Sequence, residues 1–137
     1  MTNYLLDTNT VSHIVRGRSP AARARLTTLG PHEVASISSI TEAEIRYGLA
    51  KRPHANALAR AVESFLAKAR VLAWDRDEAV AYGSLRARME SAGKALGNLD
   101  MLIAAQAIAR DATLVTSDRA FSQVKELQLI ENWAVDL

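Results

Sequence analysis

Four carboxylates occupy positions from which chemistry is feasible. Asp7 closes the apolar run Tyr4-Leu5-Leu6, Asp100 lies between Leu99 and Met101, and Asp118 follows Leu114-Val115-Thr116-Ser117. The fourth is one of two glutamates, Glu42 and Glu44. Each has an ordinary structural explanation. Asp7 and Asp118 are good helix caps or turn residues. Asp100, at the start of a stretch that is apolar on most sides, complements a helix dipole. Burying an ionised carboxylate is costly without a cation or donors beside it, so Asp100 favours a functional reading. Glu42 stands three residues after Ser39, where a capping-box glutamate belongs. Two residues on a helix are roughly 200° apart, so Glu42 and Glu44 do not face one site. The cap is assigned to Glu42 and the site to Glu44.

Three or four converging carboxylates repel one another and require a cation. The chain of 137 residues has no cysteine. Its histidines, His13, His32 and His54, show no paired metal-binding spacing and read as ordinary surface or partly packed residues. Oxygen-only ligation selects Mg²⁺ or Mn²⁺ over zinc. The implied chemistry is metal-assisted attack of water on a phosphodiester.

The absence of cysteine also excludes disulfides and a thiol nucleophile. Hydrophobic residues at 49% and charged residues at 23% describe a globular chain rather than a disordered one. The length fits one domain, residues 1–137. Aromatics at 5% argue against a platform of stacked bases. The isoelectric point near 9.2 overstates a net charge of only +2. Between Asp7 and Glu33 there is no acid, while Arg16, Arg18, Arg23 and Arg25 lie there. That local basic patch can meet phosphates, although taken alone a solvated loop and helix face explains it better. The opening Met-Thr-Asn-Tyr-Leu-Leu-Asp reaches an acid too soon for a signal peptide, and no apolar run approaches 18 residues. A cytoplasmic location is expected.

The elements that position these acids follow from periodicity and caps. Tyr4–Leu6 reads as a strand, Thr8–Val15 as a helix, and Pro20–Leu29 as a second helix. Val34–Ile37 is a strand, and a helix runs from Ser39 to about Ala50. Leu58, Val62, Phe65 and Leu66 recur at helical spacing after Pro53. Val71–Trp74 is a strand, and Asp75-Arg76-Asp77-Glu78 caps the helix that reaches Gly93. Leu99–Ala109 is a buried helix and Thr113–Thr116 a strand. A short helix and a brief strand near Leu129-Ile130 follow. Strands alternating with helices give an α/β fold with a mainly parallel sheet, whose ligands sit beyond the carboxyl ends of the strands. Asp7 and Asp118 are expected at those ends.

Leu6-Asp7-Thr8-Asn9 resembles the opening motif of PIN-domain nucleases, VapC toxins in particular. Ser38 to Gly48 resembles their second motif, with the acid at Glu44. Leu99 to Ala105 resembles the third, and Leu114 to Phe121 the fourth. The resemblance spans the chain in order. It implies a PIN-like five-stranded, mainly parallel sheet flanked by helices, and a Mg²⁺- or Mn²⁺-dependent endoribonuclease that is the toxin of a type II toxin–antitoxin pair. It further implies a homodimer and a small antitoxin whose one end covers the toxin near its active site while the other binds operator DNA. Carried over by residue, Asp7, Glu44, Asp100 and Asp118 form the metal site. Thr8, Asn9, Thr116 and Ser117 are candidates for orienting those carboxylates or a water. Ser117 stands where many members carry Asn. Arg16, Arg18, Arg23 and Arg25, with Lys51 and Arg52, are candidates for guiding the RNA backbone.

Competing readings fit less well. A haloacid-dehalogenase-like phosphatase needs a second Asp two residues after the first, where Asn9 stands. A receiver domain needs paired acids after its first strand. A PIN-fold module that binds RNA or protein without cutting is the remaining alternative, and all four acids argue against it.

Overall fold

The structure, a computed structural model, describes residues 1–127 and 129–134. Its elements run β1 (Thr2–Leu6), α1 (Thr8–Val15), α2 (Pro20–Thr27), β2 (Glu33–Ser38), α3 (Ser39–Ala50), α4 (Asn56–Lys68), β3 (Arg70–Leu72), α5 (Arg76–Ser91), α6 (Asn98–Ala109) and β4 (Thr113–Val115). A 3-10 turn (Arg119–Gln123) and β5 (Ile130–Glu131) follow. The strands form one sheet in the order β3-β2-β1-β4-β5, and every pairing is parallel. The chain builds outward from β1 through β2 to β3, then returns to place β4 on the other side. The reversal lies between β1 and β4, where open α/β sheets bind ligands at their carboxyl edge.

Alternation along β1 divides the core. Leu5 packs with Leu85, Met89, Met101 and Ile103 on the side covered by α5 and α6. Tyr4 and Leu6 face the other way, with Val11, Ile14 and Val62 from α1 and α4. A parallel sheet needs both faces covered, and the two-residue period of β1 meets that need with apolar side chains on both sides. Burying each such side chain contributes roughly 2 kcal/mol.

Two expectations need correction. The cap of α3 is Ser38, whose hydroxyl accepts from the Ile40 N–H at 3.0 Å, rather than Ser39. Ser39 instead accepts from the Trp74 N–H at 3.1 Å. With the cap one residue earlier, the third helical position is Thr41, so Glu42 has no capping role. Glu42 pairs with Arg46 at 2.7 Å, and Arg46 also reaches Glu63. The third strand likewise ends at Leu72 rather than Trp74, because the Trp74 backbone N–H is taken by Ser39 and its indole donates to Leu102 O at 2.9 Å.

The capping box at Asp75 and Glu78 is present. Glu78 is fully buried, and its carboxylate accepts from the Asp75 N–H and from Arg110 at 3.0 Å. Burial pushes its pKa up, but the Arg110 hydrogen bond and the Asp75 N–H outweigh that and leave the carboxyl below its ordinary value. A lowered folded pKa contributes stability above the unfolded value near 4.5, and that contribution is lost as pH falls through the folded pKa. Arg110→Met strands a buried charge. It should cost about 3 kcal/mol at pH 7, and urea unfolding should show the difference from wild type shrinking below about pH 4.

Candidate active site

Asp7 follows the last residue of β1 and caps α1. It is 2% exposed, and its two oxygens accept from the Thr10 N–H at 2.9 Å and the Thr116 hydroxyl at 2.6 Å. A carboxylate has about four acceptor positions, so these bonds orient Asp7 without exhausting it. The capping role and a role in a site therefore coexist in one side chain. Thr116 follows β4, and its oxygen in turn accepts from the Asp118 N–H at 3.0 Å. Asp118 is exposed, and its carboxylate caps the 3-10 turn through the Ala120 N–H at 2.9 Å. One threonine hydroxyl thus joins two of the four acidic positions across the β1–β4 boundary.

Glu44, on α3, is half-buried and accepts from the Thr8 hydroxyl at 3.1 Å. Asp100 lies in the first turn of α6, a helix whose capping residue, Gly97, offers no side-chain bond. Its pKa is raised, first by burial and then by the charges of Asp118, Asp7 and Glu44. Two strands and two helices therefore bring Asp7, Glu44 and Asp118 into electrostatic range of Asp100.

Among the described residues none of these four acids takes part in an ion pair, and no three carboxylate or imidazole groups are drawn tightly enough to enclose an ion. The two scales differ. Charge repulsion extends well beyond the roughly 2–2.6 Å over which oxygens ligate a hard cation. Asp7, Glu44 and Asp118 turn to nearby N–H and O–H donors rather than toward one another. An oxygen-only donor set with an unpaired, half-buried acid fits a hard divalent ion that keeps several of its waters.

The flanking candidates divide. Thr8 and Thr116 contact the acids directly, while Asn9 and Ser117 are exposed with no side-chain hydrogen bond to them among the described residues. Thr41, absent from the expected set, lies 3.1 Å from Thr8 and is fully buried. Its signal in the sequence is a hydroxyl one helical turn before Glu44.

The basic residues also divide. Arg25 is held by Glu33 at 3.0 Å, donates to the Tyr4 hydroxyl, and lies over the Tyr4 and Trp133 rings. Glu33 is lowered to about 2 by the Gly30 N–H, Tyr4 and Arg25. Arg25 is therefore an internal strut. Arg23 donates to Ile14 O and Arg16 to Ser12. Arg18 and Arg52 are exposed, and Lys51 lies over the Tyr47 ring. Arg16 and Arg18 follow the far end of α1, about 12 Å along its axis from Asp7.

Two substitutions separate site from scaffold. A raised carboxyl destabilises the metal-free fold above its folded pKa. Asp100→Asn should therefore raise the melting temperature in EDTA by about 2–4 °C at pH 7, with a smaller gain in high salt and none near pH 4. Glu42→Gln removes only a surface pair and should shift stability by less than about 0.5 kcal/mol, with RNA cleavage retained where Glu44→Gln loses it.

The PIN domain family matches residues 4–127 of the chain. "Ribonuclease VapC2" of Rickettsia felis is 33% identical over 131 residues, covering 95% of this chain and 97% of the relative. The "tRNA(fMet)-specific endonuclease VapC" of Salmonella typhimurium is 31% identical, covering 97% and 99%. Among solved structures, the VapBC2 complex of Rickettsia felis bound to a promoter DNA fragment superposes with a TM-score of 0.89 at 32% identity, over 96% of this chain and 99% of the other. VapBC-1 of nontypeable Haemophilus influenzae gives 0.86 at 26% identity, over 98% and 100%. The five-stranded parallel sheet, the acids at its carboxyl edge and near full-length similarity converge, and the chain belongs to the VapC group of the PIN-domain family.

Proposed function

We propose that the chain is a Mg²⁺- or Mn²⁺-dependent endoribonuclease, the toxin of a toxin–antitoxin pair acting in the cytoplasm. The observation that carries this reading is Asp100: half-buried, without an ion-pair partner among the described residues, and pushed toward its neutral form first by burial and then by three other carboxylates. Asp7, Glu44, Asp100 and Asp118 would hold the ion. When bound, it supplies Lewis acidity and charge neutralisation at a scissile phosphodiester. Asp7 is preset for this by Thr10 and Thr116. No histidine or lysine contacts the four acids among the described residues, so the proton of the attacking water passes to one of these carboxylates or to solvent. Of the basic residues, Arg18 and Arg52 are exposed and suited to the RNA backbone, with Arg16 and Lys51 beside them.

The partner reading rests on a second surface. An apolar groove of about 670 Å³ lies between α1, α2, β2 and α4, lined by Val15, Leu26, Leu29, Val34 and Phe65. Arg23, Lys68 and Arg70 also line it, with Glu33 as the only acid among the described residues. It suits an apolar antitoxin segment with acidic flanks, as the relatives solved as VapBC complexes support. Pairing of two copies and assembly on operator DNA belong to the same reading.

Purified protein free of antitoxin, incubated with total cellular RNA and with initiator tRNA in Mg²⁺ or Mn²⁺, should give discrete new 5′ ends by sequencing. Those ends should vanish in EDTA, and Asp7→Asn or Asp100→Asn should reduce cleavage by at least about 100-fold. Folded protein that binds RNA under every ion without cutting it would instead identify a silent binding module.

A further inference from the structure

We propose that Thr41 is a positioning residue for Glu44, acting through Thr8; this rests on the four-carboxylate site proposed above. Thr41 is fully buried on α3, and its hydroxyl lies 3.1 Å from that of Thr8. The Thr8 hydroxyl donates to Glu44 at 3.1 Å. A threonine hydroxyl carries one proton, and an ionised carboxylate only accepts. The Thr8 proton is therefore taken by Glu44, and the bond between the two hydroxyls runs from Thr41 to Thr8.

The relay closes a loop between two elements. Thr41 and Glu44 are three residues apart and share a face of α3. Thr8 is the first residue of α1, next to Asp7. Glu44 has several rotatable bonds, no ion pair among the described residues, and the repelling carboxylate of Asp100 in range. Without a donor it is free to swing outward. Thr8 supplies that donor, and Thr41 fixes the rotation of the Thr8 hydroxyl so that its proton points at Glu44. A buried hydroxyl at this position accordingly sets how readily the site collects a cation.

The test uses two matched pairs of full-length variants that differ in the hydroxyl alone. Thr41→Val is compared with wild type, and Thr41→Ala with Thr41→Ser, which share the loss of a buried methyl. Mn²⁺ affinity is measured by the electron paramagnetic resonance of free Mn²⁺, with Glu44→Gln as reference and melting in EDTA as a fold control. Thr41→Val and Thr41→Ala should each bind Mn²⁺ about tenfold more weakly than their hydroxyl partners, at the lower edge of the effect of groups that orient metal ligands. Thr41→Ser should stay within about twofold of wild type while melting a few degrees lower. Equal affinity within both pairs, with Glu44→Gln weakened, overturns the role of Thr41 alone. Affinity that follows melting temperature rather than the hydroxyl assigns Thr41 to packing and also overturns it. Unchanged binding in Glu44→Gln removes the carboxylate site itself, and the relay with it.

Discussion

The hydrogen bond from Thr116 to Asp7, 2.6 Å long and buried, holds the carboxyl edge of the two central strands together. A carboxylate that is 2% exposed is expensive unless donors satisfy it. Thr116 supplies one donor and the first turn of α1 another through the Thr10 N–H. Because Leu6 pairs with Val115, and the Asp7 N–H reaches Val115 O at 3.0 Å, the two chains leave the sheet side by side. Thr116 then accepts from the Asp118 N–H, so the same hydroxyl sets the turn that carries a second acid. Glu44 and Asp100 are brought in by helices packed against this edge.

The charged groups of the molecule fall into two populations. Glu78 meets Arg110, Glu33 meets Arg25, and Glu42 meets Arg46, each at hydrogen-bonding distance. Those acids are neutralised within the fold and need nothing from outside. Of the four acids at the sheet edge, Asp7, Glu44 and Asp118 are served by hydroxyls and N–H groups, which orient a carboxylate without cancelling its charge, and none of the four meets a cationic side chain among the described residues. That difference in partner type, more than any difference in burial, marks where charge is left for a ligand. Glu78 is more deeply buried than Asp100, yet its pKa is lowered while that of Asp100 is raised.

The acids and the apolar groove occupy opposite ends of the sheet. The groove is lined by the first residues of β2 and β3, whereas the acids lie past the last residues of β1 and β4. With a rise near 3.3 Å per residue, about 15 Å of strand separates them. A partner seated in the groove must extend along α1 to reach the acids. Arg16 directly follows Val15, which lines the groove at the far end of α1 from Asp7. Arg25, central to the basic run in the sequence, belongs instead to the packing of Tyr4 and Trp133.

Order and type of the elements were legible in the sequence because they rest on local signals: the short apolar run Tyr4-Leu5-Leu6, the recurrence of Leu58, Val62 and Phe65, and the box at Asp75 and Glu78. The motif acids were legible for a related reason, since a residue closing a strand or opening a helix in a parallel sheet is sent to a predictable edge. What was not legible depends on partners far away in the chain. Ser39 could not be separated from Ser38 as the cap until Trp74 claimed it from 35 residues on. Thr41 was absent from the candidate residues because its partner, Thr8, lies 33 residues earlier in the chain. Arg25 read as a phosphate contact until Tyr4, Glu33 and Trp133 enclosed it. The sequence by itself determined which groups carry charge and which strand ends present them, because side-chain chemistry and backbone periodicity are local. Only the tertiary structure decided which charges are cancelled and which are left open, because electrostatic pairing is settled by distance in space.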